Sequence, residues 1–273
     1  MYEAYWQLTA KPFENTSDTR FYYPVESHQG ALLKLRYVVE NRRSAALLVG
    51  GSGLGKSLVV QSLLRQLSDT YTPRPQLVFP QMPPDQLLAY LAESLTGAGP
   101  SGVTPTIQQS VRRIEQRLAE NVNAGRHAVV VIDDAQDLID SNTLETIRLL
   151  LNFEFAATTP LTVLLVGQPA LLPVLDRMPE LDERLAVKCL LRRLTLEESI
   201  SYIHHRLQAA GARHEIFDAS ALEAVHHLAL GVPRRMNRLC DLALLIGFAE
   251  ERKSLGREQI EAVADELVAV AAD

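Results

Sequence analysis

Several things are scarce in this chain of 273 residues. Cysteine occurs only at Cys189 and Cys240, both in apolar surroundings and neither with metal-ligand spacing. That argues against a disulfide framework or a zinc site and predicts buried free thiols. No apolar run approaches the ~18 residues of a membrane-spanning helix; the richest, Leu242 to Ala249, falls far short. The opening Met1-Tyr-Glu-Ala-Tyr-Trp lacks the basic and apolar regions of a signal peptide. Charge of one sign is also lacking: 27 basic against 33 acidic residues, a net charge of −6, gives no support for an indiscriminate nucleic-acid coat or a polybasic membrane anchor. A local basic face remains compatible with that total. There is no short-period repeat and no low-complexity tail. What is present is an ordinary globular balance, 47% hydrophobic and 22% charged, on a chain long enough for one large core and a smaller satellite domain.

The stretch with the most chemical information is Gly50-Gly51-Ser52-Gly53-Leu54-Gly55-Lys56-Ser57. It follows the apolar run Ala45 to Val49 and precedes a predicted helix over Leu58 to Leu67, so it stands where a strand turns into a helix. In that context the pattern is a phosphate-binding loop. The glycines let backbone N–H groups curl inward, and the helix N-terminus behind them adds partial positive charge. Lys56 is placed to reach the β- and γ-phosphates and Ser57 to put its hydroxyl on Mg²⁺.

A second segment answers the first. Ala128-Val-Val-Val-Ile132 followed by Asp133-Asp134 reads as a doubly buried parallel strand that delivers carboxylates to its C-terminal end. Asp133 then serves the Mg²⁺, and Asp134 polarises the attacking water, one methylene shorter than glutamate. Leu161 to Gly167 is another buried strand, whose polar end, Gln168, either faces the γ-phosphate or merely caps the edge. Between these segments the pattern predicts a helix from about His28 to Glu40 capped by Ser27 and a short strand over Gln76 to Phe79. It also predicts a helix to Leu95 capped by Asp85, one from Pro105 to about Asn123, and one from Asp140 or Ser141 through Phe155. Residues 1–25 carry too many aromatics for a disordered tail and are expected to pack on the body, against a nucleotide base or over an edge. His28 reads as a surface or capping residue, with a base contact as the alternative.

After a short strand over Ala186 to Leu190 the pattern becomes helical, with Thr195 and Glu198 in capping-box relation and helices near 196–209, 219–229, 234–250 and 257–271. The fold expected is a parallel α/β sandwich of P-loop NTPase type over residues 1–192, N-terminal arm included, followed by a small all-helical lid over 193–273. Pro233 starts a lid helix with Arg234 behind it; that arginine either aims back at the phosphates or simply stabilises a turn. The adjacent pairs His204-His205 and His226-His227 lack metal-ligand spacing and read as ordinary surface and core-edge histidines.

Taken together, the phosphate loop, Asp133-Asp134, Gly167-Gln168-Pro169, Arg184 and Gly231-Val-Pro-Arg make the chain resemble an AAA+ ATPase. More specifically it is similar to the general secretion pathway protein A (ExeA-like) family, with its MshM type and the secretion ATPases of exosortase loci. The opening Met1 to Leu8, Lys11-Pro-Phe, Arg20-Phe-Tyr-Tyr, Ile132 to Leu138, Leu165-Val-Gly-Gln-Pro and Gly231 to Asp241 carry that likeness across nearly the whole chain. The resemblance implies ATP and Mg²⁺ as cofactors. It implies nucleotide contacts from Gly50, Gly51, Ser52, Gly53, Leu54, Gly55, Lys56, Ser57 and Leu58, metal contacts from Ser57 and Asp133, and Asp134 at the usual catalytic glutamate position. Gln168 falls in the sensor-1 region, Arg184 resembles an arginine finger given to a neighbouring subunit, and Arg234 resembles sensor 2. Active sites at the interfaces of a homo-oligomer follow, with a protein partner in a secretion, pilus or other envelope assembly. Family members often continue into a transmembrane helix and a wall-binding domain; this sequence ends at Asp273 without them, so a cytoplasmic protein recruited to the inner membrane by a partner is expected. Two alternatives stand beside an assembly-driving ATPase. One is an ATP-dependent DNA-associated regulator with phosphate contacts from Arg234, Arg235 and Arg238 or from Arg112, Arg113 and Arg117. The other is a slow-hydrolysing, nucleotide-bound scaffold, motivated by Asp134.

Overall fold

Three runs of aliphatic and β-branched residues form the middle of a five-stranded parallel sheet. The structure, a computed structural model, describes residues 1–16, 18–99, 105–138, 142–155 and 157–272. The strands are β1 (Ala45–Gly50), β2 (Gln76–Leu77), β3 (Ala128–Ile132), β4 (Leu161–Gly167) and β5 (Leu185–Leu191), in the order β2-β3-β4-β1-β5. Every pairing is parallel. Strands β1, β3 and β4 are buried along their whole length, as sheets covered on both faces require. The edge strand β5 alternates instead, burying Leu185, Cys189 and Leu191 and exposing Ala186, Lys188 and Leu190.

The helices are α1 (Glu26–Glu40), α2 (Lys56–Gln66), α3 (Pro84–Thr96), α4 (Ile107–Asn123), α5 (Thr143–Leu150), the short α6 (Leu172–Leu175) and α7 (Pro179–Asp182), then α8 (Leu196–Ala209), α9 (Ala219–Ala229), α10 (Pro233–Ala249) and α11 (Arg257–Ala272). Several boundaries correct the sequence reading. Helix α1 starts at Glu26, which puts Ser27 inside the first turn, and His28 is buried rather than at the surface. Asp85 lies in the first turn of α3, whose N-cap is Pro83. Pro105 precedes α4, which starts after Thr106 with a complete capping box to Gln109. Strand β2 stops at Leu77, and α5 ends at Leu150, not Phe155. The expected cap at Asp140 or Ser141 lies outside the described residues. The Thr195–Glu198 capping box is present on α8.

The chain separates into two compact units. One, Ser27–Gly51 with Val59–Leu191, carries the sheet; the other, Met1–Glu26, Ser52–Leu58 and Arg192–Asp273, is helical. Residues 1–26 therefore group with the helices that follow residue 192, whereas the sequence reading placed them with the sheet. The reason is burial. Trp6, 1% exposed, donates its indole N–H to the Leu244 carbonyl at 2.9 Å. Tyr2 hydrogen-bonds Asp241, Phe13 meets Phe217 edge-on at 6.1 Å, and the Arg206 guanidinium holds the Glu14 carbonyl at 2.9 Å. Both cysteines are free and buried.

Inside the sheet unit, Thr162 donates its hydroxyl to the Arg43 carbonyl at 2.6 Å and so can only accept from His127, whose Nε2 lies 2.8 Å away. This fixes the neutral Nε2–H tautomer. Burial, helped by the Arg42 charge, pushes the His127 pKa down to about 4.

Two outcomes are expected. Trp6→Ala should cost the helical unit roughly 3–5 kcal/mol in denaturant unfolding. For His127 the folded pKa lies below the unfolded value, so its contribution is complete above about pH 6.5 and is lost as pH falls toward 4, by at most roughly 3 kcal/mol. His127→Gln should flatten the stability profile across that window.

Candidate functional site

Strands β1, β3 and β4 end together. Val49 pairs with Gly167 and Ile132 with Leu165, so Gly50, Asp133 and Gln168 all leave the same edge of the sheet unit. Parallel strands joined by helical crossovers put every C-terminus on one side, which is where open α/β sheets place their chemistry.

The glycine-rich loop follows β1 and ends in α2, which begins at Lys56 itself, two residues earlier than the pattern suggests. Lys56 and Leu54 are buried, and Ser57 is exposed. Within the helical unit the loop is held by α10. Val232, the N-cap of α10, offers no side-chain cap; instead the Arg234 N–H, one of the orphan donors of a helix start, bonds the Gly53 carbonyl at 3.2 Å. The Arg234 guanidinium lies 3.4 Å from the Ser52 hydroxyl. Gly53 is required twice: its φ is +79°, and a Cβ there would stand 2.7 Å from Arg234 Cβ and 3.1 Å from Val232 Cγ1.

Within the sheet unit Asp133 and Asp134 follow β3 in a tight turn. The Asp134 N–H bonds Asp133 Oδ1 at 3.0 Å, and Asp134 adopts φ +48°, a left-handed conformation that aspartate tolerates. Its exposed carboxylate accepts from Gln136 Nε2 at 3.1 Å, and Gln136 Oε1 accepts the Gln168 N–H at 3.0 Å. The Gln168 side chain makes no cap hydrogen bond at the helical turn that follows it. Exposed Arg184 donates to the Leu151 carbonyl at 3.1 Å and to Asn152 Oδ1 at 2.7 Å. Gln136 carries little signal in the sequence. It lies in the Ile132 to Leu138 block that carries the family likeness, but nothing local assigns it a role, because one of its partners is a backbone amide distant in the chain.

The family model described as an AAA domain matches residues 39–175, half of the chain, from the end of α1 to α6. The chain belongs to the AAA family. This AAA protein is 32% identical over 269 residues to the general secretion pathway protein A of Aeromonas hydrophila. The match covers 98% of this chain but 48% of that protein, so the chain spans about half the length of the curated relative. Among solved structures it resembles the Cdc6p of Pyrobaculum aerophilum, with a TM-score of 0.73 at 16% identity over 93% of this chain and 70% of that one. It also resembles the Aeropyrum pernix ORC2 protein, with a TM-score of 0.71 at 16% identity over 94% and 71%. For the Thermotoga maritima RuvB branch-migration motor the TM-score is 0.60 at 16% identity, over 89% and 70%. The fold is that of the P-loop AAA ATPases.

The loop geometry makes one substitution informative. Gly53→Ala should weaken nucleotide binding by about tenfold or more, because the residue must leave its left-handed conformation or push Arg234 aside. Titration with a fluorescent ATP analogue reads this, and unchanged affinity would mean that the loop does not depend on its seat against α10.

Proposed function

We propose that this protein is an Mg²⁺-dependent ATPase that oligomerises and uses hydrolysis to switch the assembly of a secretion, pilus or other envelope-associated complex. The observation that carries the nucleotide part is the phosphate loop at the end of β1, with α2 opening directly at Lys56. The assembly part rests on the likeness to general secretion pathway protein A across 98% of this chain. In this reading Gly50, Gly51, Ser52, Gly53, Leu54, Gly55 and Leu58 surround the phosphates with backbone, Lys56 balances the β- and γ-oxygens, and Arg234 answers the γ-phosphate from the start of α10. Asp134 orients and polarises the attacking water, and Gln168 holds it from the end of β4.

Ser57 and Asp133 are the metal side. A hydroxyl and a carboxylate are hard oxygen donors, the set Mg²⁺ takes when phosphates and water complete its shell. Among the described residues no group of three or more His, Cys, Asp or Glu converges, so no all-protein cage competes with that arrangement. Bound there, Mg²⁺ would offset the charge that develops on the phosphate oxygens.

Arg184 is proposed to act in a neighbouring copy. Its two hydrogen bonds to Leu151 and Asn152 leave further guanidinium donors on an exposed side chain. No described helix is long and apolar enough to cross a membrane. A cytoplasmic setting with recruitment to the inner membrane through a partner belongs to the same proposal.

A second reading, a DNA-associated regulator, draws on exposed Arg235 and Arg238 near the start of α10, which make no salt bridge among the described residues. ATP-dependent DNA binding that falls steeply with salt and is weakened by Arg238→Ala would favour it.

ATP hydrolysis measured against protein concentration, with sizing by light scattering, tests the leading reading. Specific activity should rise with oligomer formation, Arg184→Ala should lower it by about 10³-fold, and Lys56→Ala should abolish it. Activity independent of concentration and indifferent to Arg184 would remove the shared site. Phosphate release equal in wild type and Lys56→Ala would leave only a nucleotide-bound scaffold, and a faster Asp134→Glu would assign slow turnover to the shorter acid.

A further inference from the structure

One side chain in the sheet unit ties the turn after β3 to the end of β4. Gln136 lies in the helical turn Ala135–Leu138. Its amide makes three hydrogen bonds: Oε1 accepts the Gln168 N–H at 3.0 Å, and Nε2 donates to Asp134 Oδ1 at 3.1 Å and more weakly to Asp137 Oδ1 at 3.4 Å. The orientation of this amide follows from its partners. A backbone N–H can only donate, so Oε1 must face Gln168, and the amide nitrogen is thereby turned toward the two carboxylates. Asp137 is itself held through its other oxygen by Gln81 Nε2 at 3.1 Å, which gives the far side of the amide a fixed neighbour.

The sheet is cut away to admit this side chain. At Gly167, the last residue of β4, Leu171 and Gln136 together fill the space of a side chain: a Cβ there would meet Leu171 Cδ1 at 2.5 Å, Gln136 Oε1 at 2.9 Å and the Gln136 backbone nitrogen at 3.3 Å. A residue that only capped the edge of β4 would need an acceptor and nothing more. Gln136 has both ends engaged, and the second end carries the acid.

We propose that Gln136 is a positioning residue for ATP hydrolysis, coupling the Asp134 carboxylate to Gln168 so that the orientation of the water-polarising acid follows the position of the β4 end. This rests on the role proposed above for Asp134. A displacement of the Gln168 backbone on contact with the γ-phosphate pulls Oε1 with it, and the rigid amide transmits the movement to Nε2 and so to Asp134. Because Asp134 already stands in a left-handed conformation, the hydrogen bond from Gln136 selects among the few directions its short side chain can take.

The test is single-turnover ATP hydrolysis with nucleotide affinity and melting temperature measured in parallel, at protein concentrations where wild-type specific activity has levelled off. Gln136→Met keeps the length and removes both polar ends; Gln136→Glu keeps the acceptor for Gln168 but sets an oxygen against Asp134. Both should slow hydrolysis by about ten- to a hundredfold while ATP affinity stays within about twofold. In an Asp134→Asn background Gln136→Met should cost nothing further, the non-additivity expected of a residue that works through another. Equal losses in both backgrounds, or a fully active Gln136→Glu, would overturn the proposal. So would a fall in ATP affinity that accounts for the lost rate. An inactive Asp134→Asn beside a fully active Gln136→Met would overturn it and leave the site reading standing. An Asp134→Asn protein as active as wild type would overturn the site reading itself. Gln136→Glu carries the comparison alone where Gln136→Met does not fold.

Discussion

The need to bury a parallel sheet on both faces governs where this protein can do chemistry. A parallel strand cannot return through a tight turn, so each must be followed by a crossover, and every strand ends on the same side. Strands β1, β3 and β4 are buried from end to end and offer no polar side chain to solvent along their length except at that side. Gly50, Asp133 and Gln168 emerge there for the same reason. The shared edge at which Gly50, the paired acids and Gln168 leave the sheet unit is the consequence of one packing constraint on segments far apart in the chain.

What was legible in the sequence follows from the same physics. The runs Ala45 to Val49, Ala128 to Ile132 and Leu161 to Val166 announce buried strands because nothing but a covered sheet or a helix core accepts such segments, and their flanks of glycine and aspartate exclude a helix. Helices α8 and α9 fell where expected because Thr195 with Glu198 and an apolar face of period 3.6 are local signals. The Thr106–Gln109 box is equally local, but Pro105 beside it offers a competing start. Strand β5 differs from its neighbours because its exposed residues give it an edge pattern that a short apolar run does not announce.

The contacts that close over long distances were not legible. Nothing near Trp6 says that its partner is the Leu244 carbonyl, and nothing near Gly53 says that Arg234 and Val232 occupy the space where its side chain would be. Gln136 is of the same kind: its amide is informative only once the end of β4 stands beside it. Sequence patterns report which face of an element is apolar, and these residues are defined instead by what arrives from elsewhere.

That the helical unit is assembled from residues 1–26 and from residues beyond 192 has a consequence for synthesis. Trp6 and Phe13 leave the ribosome early, yet the helices that cover them lie beyond residue 192. At about 5–20 residues per second, several aromatic side chains wait roughly 10–45 seconds before their partners exist. During that interval the sheet unit can fold while residues 1–26 still lack the helices that bury their aromatic side chains. Of this unit, residues 1–26 are therefore offered to chaperones longest, and the helices beyond residue 192 are what withdraw them.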